Sequence, residues 1–594
     1  MKQLYRLISV LFLISVFLPG ISVAQDDTTK LNQSVEVMKA YRPTISNANK
    51  VNLMPVIADT TRFSPEFAYS IDSNPVTSGF KASPIQPADV NKASYHQLGS
   101  GYLKLGAGTN STPYGEFFLN LPESRTAVFG LHLRHLSSQG KIKLREGDLV
   151  EAPYSHNNGA IFGRINVGNT VLSTDLSYDR DAVNYYGYPT AITNSSFNAI
   201  TLYGLKQVYQ NGDFKISLKN SEPSHGALQF DTGFRLGFFD SKTGQKENSG
   251  GVFGKFDYNL EQFHGLFDVS YDHISTDSIY IGNSYVVETK QEDWLRIAPS
   301  VRLDGDNWSL RGGINFIQVN DKTDGNTTKL YPDFEFNFRP VEGILTLYAS
   351  FKGDLKNNSY GCIARENYWA EPRHNVRNTD YTYVVSGGLK GKISREISYN
   401  LGLKYSQVKD LYFYTMNSFD NLASNTIPAP VLYRNAFDVT YDNATITNFS
   451  AEFSYVSGND LSVVLKGNYY SYNLENMNFA PQKPDFDLMA STSLKIIDRV
   501  TGFADLSVIG ERKALVKYLG AYLPFSSANV PSPLQLKEFT IDPTVQVNLG
   551  ASFEMTSNFK LFGRVDNLLN RQNEQWLGYA SQGLRVLVGV TLSF

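Results

Sequence analysis

The sequence predicts an all-β protein: a large transmembrane antiparallel β-barrel of about 22 strands, within a range of about 20–24, preceded by an irregular N-terminal periplasmic arm. Three observations predict this fold. The chain begins with an export signal, amphipathic strand-like segments continue from residue 99 to residue 594, and the last strand ends on an aromatic residue. The predicted organisation is a signal peptide at residues 1–24, a proline-rich extended arm at 25–98 and a barrel at 99–594.

The composition fits a β-rich membrane or surface protein. The 594 residues include 36 Tyr and 38 Phe, whereas charged residues make up only 19%. Aromatic residues favour strands, and a mean hydropathy of −0.27 does not fit a bundle of apolar helices. A formal net charge of −3 excludes a basic nucleic-acid binder, so no nucleic acid is expected as a partner. The single cysteine, Cys362, excludes an intramolecular disulfide.

The first 24 residues form a secretory signal. Basic residues precede an apolar run that extends to Val23, and a small-x-small motif predicts cleavage between Ala24 and Gln25. An uncleaved helical anchor is the alternative, because the run approaches the roughly 17-residue minimum for a membrane helix. Pro19 and Gly20 favour cleavage. No later apolar run is long enough for a membrane helix, so the exported chain is either soluble or an outer-membrane barrel.

Residues 25–98 are predicted to be irregular, because their six prolines interrupt any helix or interior strand. Two short segments, residues 34–37 and 67–71, still alternate apolar and polar side chains. Val35, Glu36 and Val37 are therefore a candidate docking strand that could add to the edge of a sheet. Plain disorder of the arm is the alternative.

From residue 99 onward, strand-like segments of roughly 9–14 residues follow one another, as tilted strands that cross a bilayer require. In residues 230–238, Phe234 and Leu236 lie on one face, whereas Asp231 and Arg235 lie on the other. A soluble β-sandwich shows the same alternation. The unbroken length of the strand-rich region and the export signal favour a membrane barrel.

Many of these segments carry Tyr or Trp near their ends, which suits an aromatic girdle at the membrane interface. The predicted girdle residues are Tyr178, Tyr185, Tyr186, Tyr188, Tyr271, Trp294, Tyr399, Tyr469, Tyr470 and Tyr472.

The connections between segments alternate in length. Short turns with Gly, Asn and Asp are predicted at residues 168–169, 211–213 and 458–460. Longer polar connections are predicted near residues 140–155, 181–195, 275–290, 357–379, 417–430 and 513–538. Short turns of outer-membrane barrels face the periplasm and long loops face the exterior. Residues 397–416 could form one long strand or two.

The C-terminal strand is the most specific signal in the chain. Val588, Val590, Leu592 and the terminal Phe594 lie on one face of this strand. A final aromatic residue on an amphipathic strand is similar to the signal that the barrel-assembly machinery of the outer membrane reads. We therefore expect this machinery and outer-membrane lipid as partners, and the cell outer membrane as the location.

Residues 561–594 resemble the closing hairpin of TonB-dependent receptors of Gram-negative bacteria. That family has a Val-x-Asn-Leu stretch, a Gly-Arg pair and a last-residue Phe. Here Val565-Asp566-Asn567-Leu568 fits, while Leu584 separates Gly583 from Arg585. The resemblance implies a solute transporter, channel or receptor that engages a TonB-like periplasmic partner. Alternatively, Asn567 and Gly583 simply shape a hairpin of any large barrel.

The N-terminal region departs from that family. Its members carry a globular plug domain ahead of the barrel, and residues 25–98 are too few and too rich in proline for one. We therefore predict a plugless barrel. The stretch with Val35, Glu36 and Val37 resembles the strand through which such receptors bind TonB, and residues 35–45 (VEVMKAYRPTI) are similar to the arm of plugless receptor-like barrels.

No catalytic or metal-binding arrangement stands out. His132 and His135 have an odd spacing, so a strand directs them to opposite faces, which argues against a shared metal. The other histidines, such as His264, have no nucleophile at a recognisable spacing. We expect no enzymatic activity, no cofactor and no metal.

Two functions remain open. The first is transport or reception of a solute, with the arm closing the lumen or recruiting a periplasmic partner. The second is a non-transporting scaffold subunit of an envelope assembly complex, anchored by its barrel. The missing plug favours the second, because an open barrel of this size would leak. The receptor-like closing hairpin favours the first.

Overall fold

The protein is described by a computed structural model that covers part of the chain. The described residues are 100–594 except 122–125, 146, 148, 187–205, 222–225, 278, 282–283, 288, 324, 372–375, 420–435 and 520–534. Contacts divide the chain into Met1–Ile45 and Ser46–Phe594, and every described residue belongs to the second unit. The predicted cleavage site and the candidate docking strand lie outside the described residues, as does the region on which the prediction of a plugless barrel rests.

Strands dominate the described residues, which contain one short helix, α1 (Tyr360–Glu366). No described helix combines the length and apolar character that crossing a bilayer requires. The strands are β1 (Gly101–Gly108), β2 (Thr112–Asn120), β3 (Ala127–Ser138), β4 (Lys141–Lys143), β5 (Leu149–Glu151), β6 (Tyr154–Val167), β7 (Thr170–Asn184), β8 (Lys206–Asn220), β9 (Leu228–Ser241), β10 (Lys246–Leu260), β11 (Phe263–Thr276), β12 (Ile279–Ile281), β13 (Ser284–Val287), β14 (Lys290–Asp304), β15 (Trp308–Asp321), β16 (Gly325–Val341), β17 (Leu345–Lys356), β18 (Thr379–Lys392), β19 (Ile397–Phe419), β20 (Phe437–Ser457), β21 (Leu461–Leu474), β22 (Phe486–Ile497), β23 (Val500–Ile509), β24 (Arg512–Leu519), β25 (Gln535–Ile541), β26 (Thr544–Thr556), β27 (Phe559–Asp566), β28 (Glu574–Trp576), β29 (Tyr579–Ala580) and β30 (Arg585–Ser593).

Twenty-two of these strands form one closed antiparallel barrel. Successive wall strands pair with each other, and β1 pairs with β30 to close the ring. The main sheet has 24 strands, but β24 and β25 lie outside the ring because β23 pairs directly with β26. Closure leaves no open sheet edge within the wall, as spanning a bilayer demands. The predicted all-β barrel of about 22 strands is confirmed.

The ring closes through the backbone of the last residue. The Gly101 N–H donates to the Phe594 carbonyl oxygen at 2.9 Å, and the Phe594 N–H donates to the Gly101 carbonyl oxygen at 2.9 Å. The Phe594 ring is exposed on the outer face and lies 6.3 Å from the Phe117 ring, centroid to centroid. The side chain of Phe594 is therefore not needed to make the closing hydrogen bonds.

Period-two alternation places apolar side chains outside and polar side chains inside the barrel. In β9, Phe234, Leu236 and Phe238 are exposed, whereas Asp231 faces the lumen. Similar exposed apolar residues occur on most of the other wall strands. A continuous apolar belt of this kind is unfavourable in water, at about 25 cal/mol for each Å² exposed. Hydrocarbon is therefore the environment in which this surface is stable.

The prediction of an aromatic girdle is correct for some residues and wrong for others. Tyr178, Tyr271 and Tyr469 are exposed on the outer face. Trp294 faces inward and is 2% exposed, because it alternates with the outward Leu295 on β14. Of the remaining predicted residues, Tyr399 is half-buried, Tyr185 and Tyr186 belong to a core at one barrel end, Tyr470 and Tyr472 stack inside, and Tyr188 lies outside the described residues.

The turn predictions are largely confirmed. Gly168 and Gly458 adopt φ values of +59° and +53° in the short turns where they were expected. The turn predicted at residues 211–213 is wrong, because these residues lie within β8 and pair with both β7 and β9. Gly212 is needed there for space, since a Cβ at this position would lie 2.2 Å from the Phe238 ring. Residues 397–416 belong to one strand, β19, with an irregularity between Val408 and Leu411.

Candidate functional site

The long connections gather at one end of the barrel. Strands β3, β7, β11, β17, β19 and β23 lead into them, whereas the chain terminus Phe594 and the short turns at residues 168–169 and 458–460 lie at the other end. Long loops of outer-membrane barrels face the exterior and the termini face the periplasm. We call the end with the long connections the outer mouth.

One of these connections forms a lid across the outer mouth. The lid, residues 357–371, follows β17 and contains α1. Ser359 caps the helix, and its side chain accepts a hydrogen bond from the Cys362 N–H at 3.2 Å. Tyr360, Ile363 and Ala364 of the helix are almost fully buried. Burial on this scale shows that the lid is packed against other parts of the protein and does not project into solvent.

The lid binds the wall at β7 and β8. The Tyr209 hydroxyl donates to the Tyr368 carbonyl oxygen at 2.6 Å, and the Tyr368 hydroxyl donates to Asp181 Oδ2 at 3.0 Å. The Trp369 indole N–H donates to the Asn184 carbonyl oxygen at 3.0 Å. These bonds connect the segment after α1 to the ends of two wall strands.

The same segment also binds β20, on the far side of the ring. The Phe437 N–H donates to the Trp369 carbonyl oxygen at 2.9 Å, and the Glu371 N–H donates to the Phe437 carbonyl oxygen at 2.8 Å. In ring order β8 is the sixth wall strand and β20 the sixteenth of 22, so these walls are almost opposite each other. The lid therefore spans the lumen.

A buried cluster of mainly aromatic side chains, which we call the lid core, holds the lid in place. The Trp369 and Tyr579 rings stack with centroids 4.1 Å apart, and Phe437 and Trp576 pack against them. Tyr579 and Phe437 are completely buried. This core joins the lid to β19, β20, the β24–β25 hairpin and the β28–β29 hairpin. Such packing resembles a protein interior more than a mobile surface loop.

An ion pair secures the end of α1. Glu366 Oε1 lies 3.0 Å from Lys483 Nζ, and Glu366 Oε2 accepts from the Tyr412 hydroxyl at 2.5 Å. Burial raises the pKa of the Glu366 carboxyl, but the Lys483 ammonium and the Tyr412 hydroxyl outweigh burial and hold this pKa below its usual value. Glu366 is therefore ionised at neutral pH and fixes α1 to β19 and to the β21–β22 connection.

The wall below the lid is polar, and most of its charges are paired. Inward ion pairs join neighbouring strands and leave few uncompensated charges among the described residues. They include Arg235–Asp272, Arg311–Asp333, Lys329–Asp380, Lys466–Glu452 and Lys560–Glu554. Among the described residues, the arrangement is a hydrophilic lumen that the lid crosses at the outer end.

The structure brings the residues of the predicted closing hairpin together. Asn567 adopts a φ of +51°, and its N–H donates to Asn548 Oδ1 at 2.9 Å. Gly583 fits against Asn570, since a Cβ there would lie 2.4 Å from Asn570 Oδ1. Arg585 is buried and pairs with Asp566. Leu568 is partly exposed, and its N–H donates to the Val547 carbonyl oxygen at 2.8 Å. These residues shape the hairpin and lie outside the lid.

The C-terminal face is also as predicted. Val588, Leu592 and Phe594 are exposed on the outer face of β30, and Val590 is half-buried on the same face. Leu587 points inward and is buried against Tyr114 and Leu136.

Replacing Phe594 by Asp is expected to lower the cellular yield of membrane-inserted, heat-modifiable barrel several-fold, because it would remove the terminal signal. The same variant should refold like the wild type in detergent without assembly machinery, since its backbone closes the ring. Phe553→Asp is the control, because Phe553 is also exposed on the outer face. An unchanged cellular yield for Phe594→Asp would contradict the assembly-signal interpretation.

The two histidines considered as metal ligands lie on opposite faces. The inward His132 Nε2 lies 3.0 Å from Glu116 Oε1, whereas His135 Nδ1 lies 2.7 Å from Asn157 Oδ1. No group of three His, Cys, Asp or Glu side chains in the described residues is arranged for a metal ion. The sequence-based search missed the lid. The sequence feature that could have indicated the lid is a Ser N-cap followed by Tyr360, Tyr368 and Trp369 within a long connection.

Comparisons with known proteins show what the fold resembles. No protein-family model matches the sequence, and no curated protein matches it. Solved structures do match. The FrpB iron transporter of Neisseria meningitidis (F5-1 variant) aligns with a TM-score of 0.61 and 11% identity over 84% of this chain and 83% of that chain. The pyoverdine outer membrane receptor FpvA of Pseudomonas aeruginosa aligns with a TM-score of 0.55 and 11% identity over 85% of this chain and 80% of that chain.

A third solved structure, described as the copper transporter OprC, aligns with a TM-score of 0.58 and 12% identity over 84% of each chain. Identity this low shows shared architecture and does not transfer a substrate. The chain therefore has the fold of large outer-membrane receptor and transporter barrels, and its predicted resemblance to TonB-dependent receptors is confirmed at the level of the fold.

Proposed function

We propose that this protein is a receptor-like transporter of the cell outer membrane, which admits a solute when its lid leaves the outer mouth. The observation that carries the proposal is the lid itself, which spans a polar lumen between opposite walls. A closed barrel needs a removable barrier to serve selective transport. The solved structures that share its fold include an iron transporter, a pyoverdine receptor and a copper transporter, which supports this class of function.

The proposal assigns the N-terminal arm to energy coupling or recruitment. Val35, Glu36 and Val37 would add as a strand to a TonB-like periplasmic partner. The barrel-assembly machinery would insert the chain by reading the strand that ends at Phe594. The proposal includes no catalytic activity and no cofactor. The three solved structures are an iron transporter, a pyoverdine receptor and a copper transporter, and so they assign no single solute to this chain.

Single-channel conductance in planar bilayers tests the proposal. The wild type should conduct weakly because the lid closes the outer mouth. Replacing residues 359–370 by a short Gly-Ser linker should produce a large, steady conductance. A linker in place of the β12–β13 hairpin is the control, because that hairpin is another outer connection and lies outside residues 357–371.

Deletion of residues 25–97 tests separately whether the arm also blocks conductance. Conductance that appears only when lid and arm are both removed would show that the arm also closes the passage. A double deletion that is folded, by its heat-modifiable migration, yet silent would contradict transport. That result would favour the alternative, a scaffold subunit whose sealed barrel serves only as an anchor.

A further inference from the structure

Two inward lysines on neighbouring strands take no part in the ion pairs of the lumenal wall. Lys390 on β18 and Lys404 on β19 have no carboxylate within 4 Å among the described residues, whereas Lys352 and Lys466 nearby are each paired with an acid. The Lys404 side chain is exposed to the lumen, and that of Lys390 is half-buried. The carboxylate of Glu335 acts on Lys390 from beyond 4 Å. An ammonium without a close partner inside a barrel raises the local positive potential, because the low-dielectric wall focuses its field.

The residues between these lysines are small or uncharged. Lys404 lies opposite Ser386 on β18 and Asn448 on β20, and Lys390 lies opposite Asn400. Gly388, Gly402 and Ser450 form the row between them. Lys404 and Lys390 are thus offset by four residues along the strand direction, or roughly 13 Å. We call this group of inward residues the lysine patch. Its members are Tyr348, Ser386, Gly388, Lys390, Asn400, Gly402, Lys404, Asn448 and Ser450.

Tyr348 forms the floor of the lysine patch. Its hydroxyl donates to Asn400 Oδ1 at 3.1 Å, and Lys390 Nζ lies 5.6 Å from the centroid of its ring. The ring lies across two glycines, since a Cβ at Gly388 or Gly402 would lie 2.4 or 2.9 Å from the hydroxyl oxygen. Larger residues at these glycines would displace Tyr348 from the wall. The floor therefore contributes hydroxyl and amide groups and no acidic side chain.

We propose that the lysine patch binds a small soluble anion that carries carboxylate or phosphate groups as it passes through the barrel. Ammonium groups form charge-assisted hydrogen bonds with such oxygens, and two lysines at this separation suit a solute with more than one anionic group. The proposal deepens the transport function and rests on it. The N-terminal arm is a poor alternative source of the anion, because residues 25–98 contain seven acidic and seven basic side chains.

Equilibrium binding of citrate and inorganic phosphate to the purified full-length chain tests the proposal by calorimetry. Wild type should bind citrate, and the double variant Lys390→Gln/Lys404→Gln should bind it roughly tenfold or more weakly. Two controls should change the affinity less than about twofold. Lys537→Gln removes one charge on β25, outside the ring, and Glu452→Gln/Lys466→Gln removes an inward pair without changing net charge.

The same titration of the variant whose lid is replaced ensures access to the patch. Absence of citrate and phosphate binding in both backgrounds would overturn the proposal, as would equal affinity of the wild type and the double lysine variant. Carbodiimide cross-linking of Lys404 to a carboxylate of residues 25–98 would also overturn it, since the arm would then occupy the patch. None of these results would change the conductance expected after lid replacement. Failure of the anion site is therefore distinguishable from failure of the transport function.

Discussion

Replacing Asp566 by alanine is expected to destabilise the barrel by about 3–5 kcal/mol, the cost of removing one partner of a buried ion pair. Asp566 Oδ2 lies 2.6 Å from Arg585 Nη2, and Asp566 Oδ1 accepts from Arg564 Nε. The side chains of Asp566 and Arg585 are 3% and 4% exposed. Removing this one carboxylate therefore takes an ion-pair partner from two guanidinium groups at once, while Arg564 keeps Asp505 at 3.9 Å.

Unfolding by urea in lipid vesicles measures this loss. Asp498→Ala is a matched control, because Asp498 also pairs with a cation, Lys495, but its side chain is 99% exposed. Surface pairs of this kind contribute about 0–1 kcal/mol. Asp566→Asn should fall between the two, since an amide keeps the shape of the side chain but not its charge. Equal midpoints for Asp566→Ala and Asp498→Ala would show that the buried pair does not stabilise the closing hairpin.

The wall of the barrel could be predicted from the sequence because it depends on local alternation. Phe234, Leu236 and Phe238 face lipid because a strand directs every second side chain to the same side. The prediction was wrong where it relied on the type of residue and did not apply this alternation. Trp294 was assigned to the girdle because it begins a segment, yet it alternates with outward residues and so faces the lumen. Gly212 has the composition of a turn, but it serves the packing of Phe238 on a neighbouring strand.

The lid could not be predicted in the same way because its contacts join residues that are remote in the sequence. Tyr368 meets Tyr209, which lies 159 residues earlier, and Asp181, which lies 187 residues earlier. No periodicity encodes such pairs, since each depends on how the ring brings distant strands to one mouth. The lysine patch could not be predicted from the sequence either. Lys390 and Lys404 are ordinary inward residues until the register places the uncharged Asn400, Ser386 and Asn448 directly opposite them.

The lid and the closing hairpin are physically connected, which relates the most specific sequence signal to the candidate site. The β28–β29 hairpin lies between Asn567 and Gly583, and its Trp576 and Tyr579 belong to the lid core. Asn567 Nδ2 donates to the Arg571 and Gln582 carbonyl oxygens at 2.6 and 3.2 Å, and so holds both ends of this connection. Residues that resemble a receptor motif thus position a surface on which the lid packs.

Replacing Trp369 by alanine is expected to release the lid while leaving the barrel intact. The substitution removes the stack with Tyr579, the hydrogen bond to Asn184 and an almost fully buried ring. Loss of a buried Trp costs about 3–5 kcal/mol. Because the lid can open without unfolding the wall, this cost should appear as local opening. Hydrogen exchange of α1 and residues 367–371 should accelerate about 100-fold or more, whereas exchange of the wall strands should not change.

Trp308→Ala is the matched control for this measurement. Trp308 begins β15 at the end with the short turns and is 36% exposed, so its loss should leave lid exchange unaltered. If Trp369→Ala accelerated exchange equally in lid and wall, the lid would be part of the global folding unit and could not open alone. Slow exchange of the lid in Trp369→Ala would instead mean that the bonds at Phe437, Glu366 and Tyr368 hold it without the aromatic core. Only selective acceleration of the lid fits a barrier that solute binding could displace.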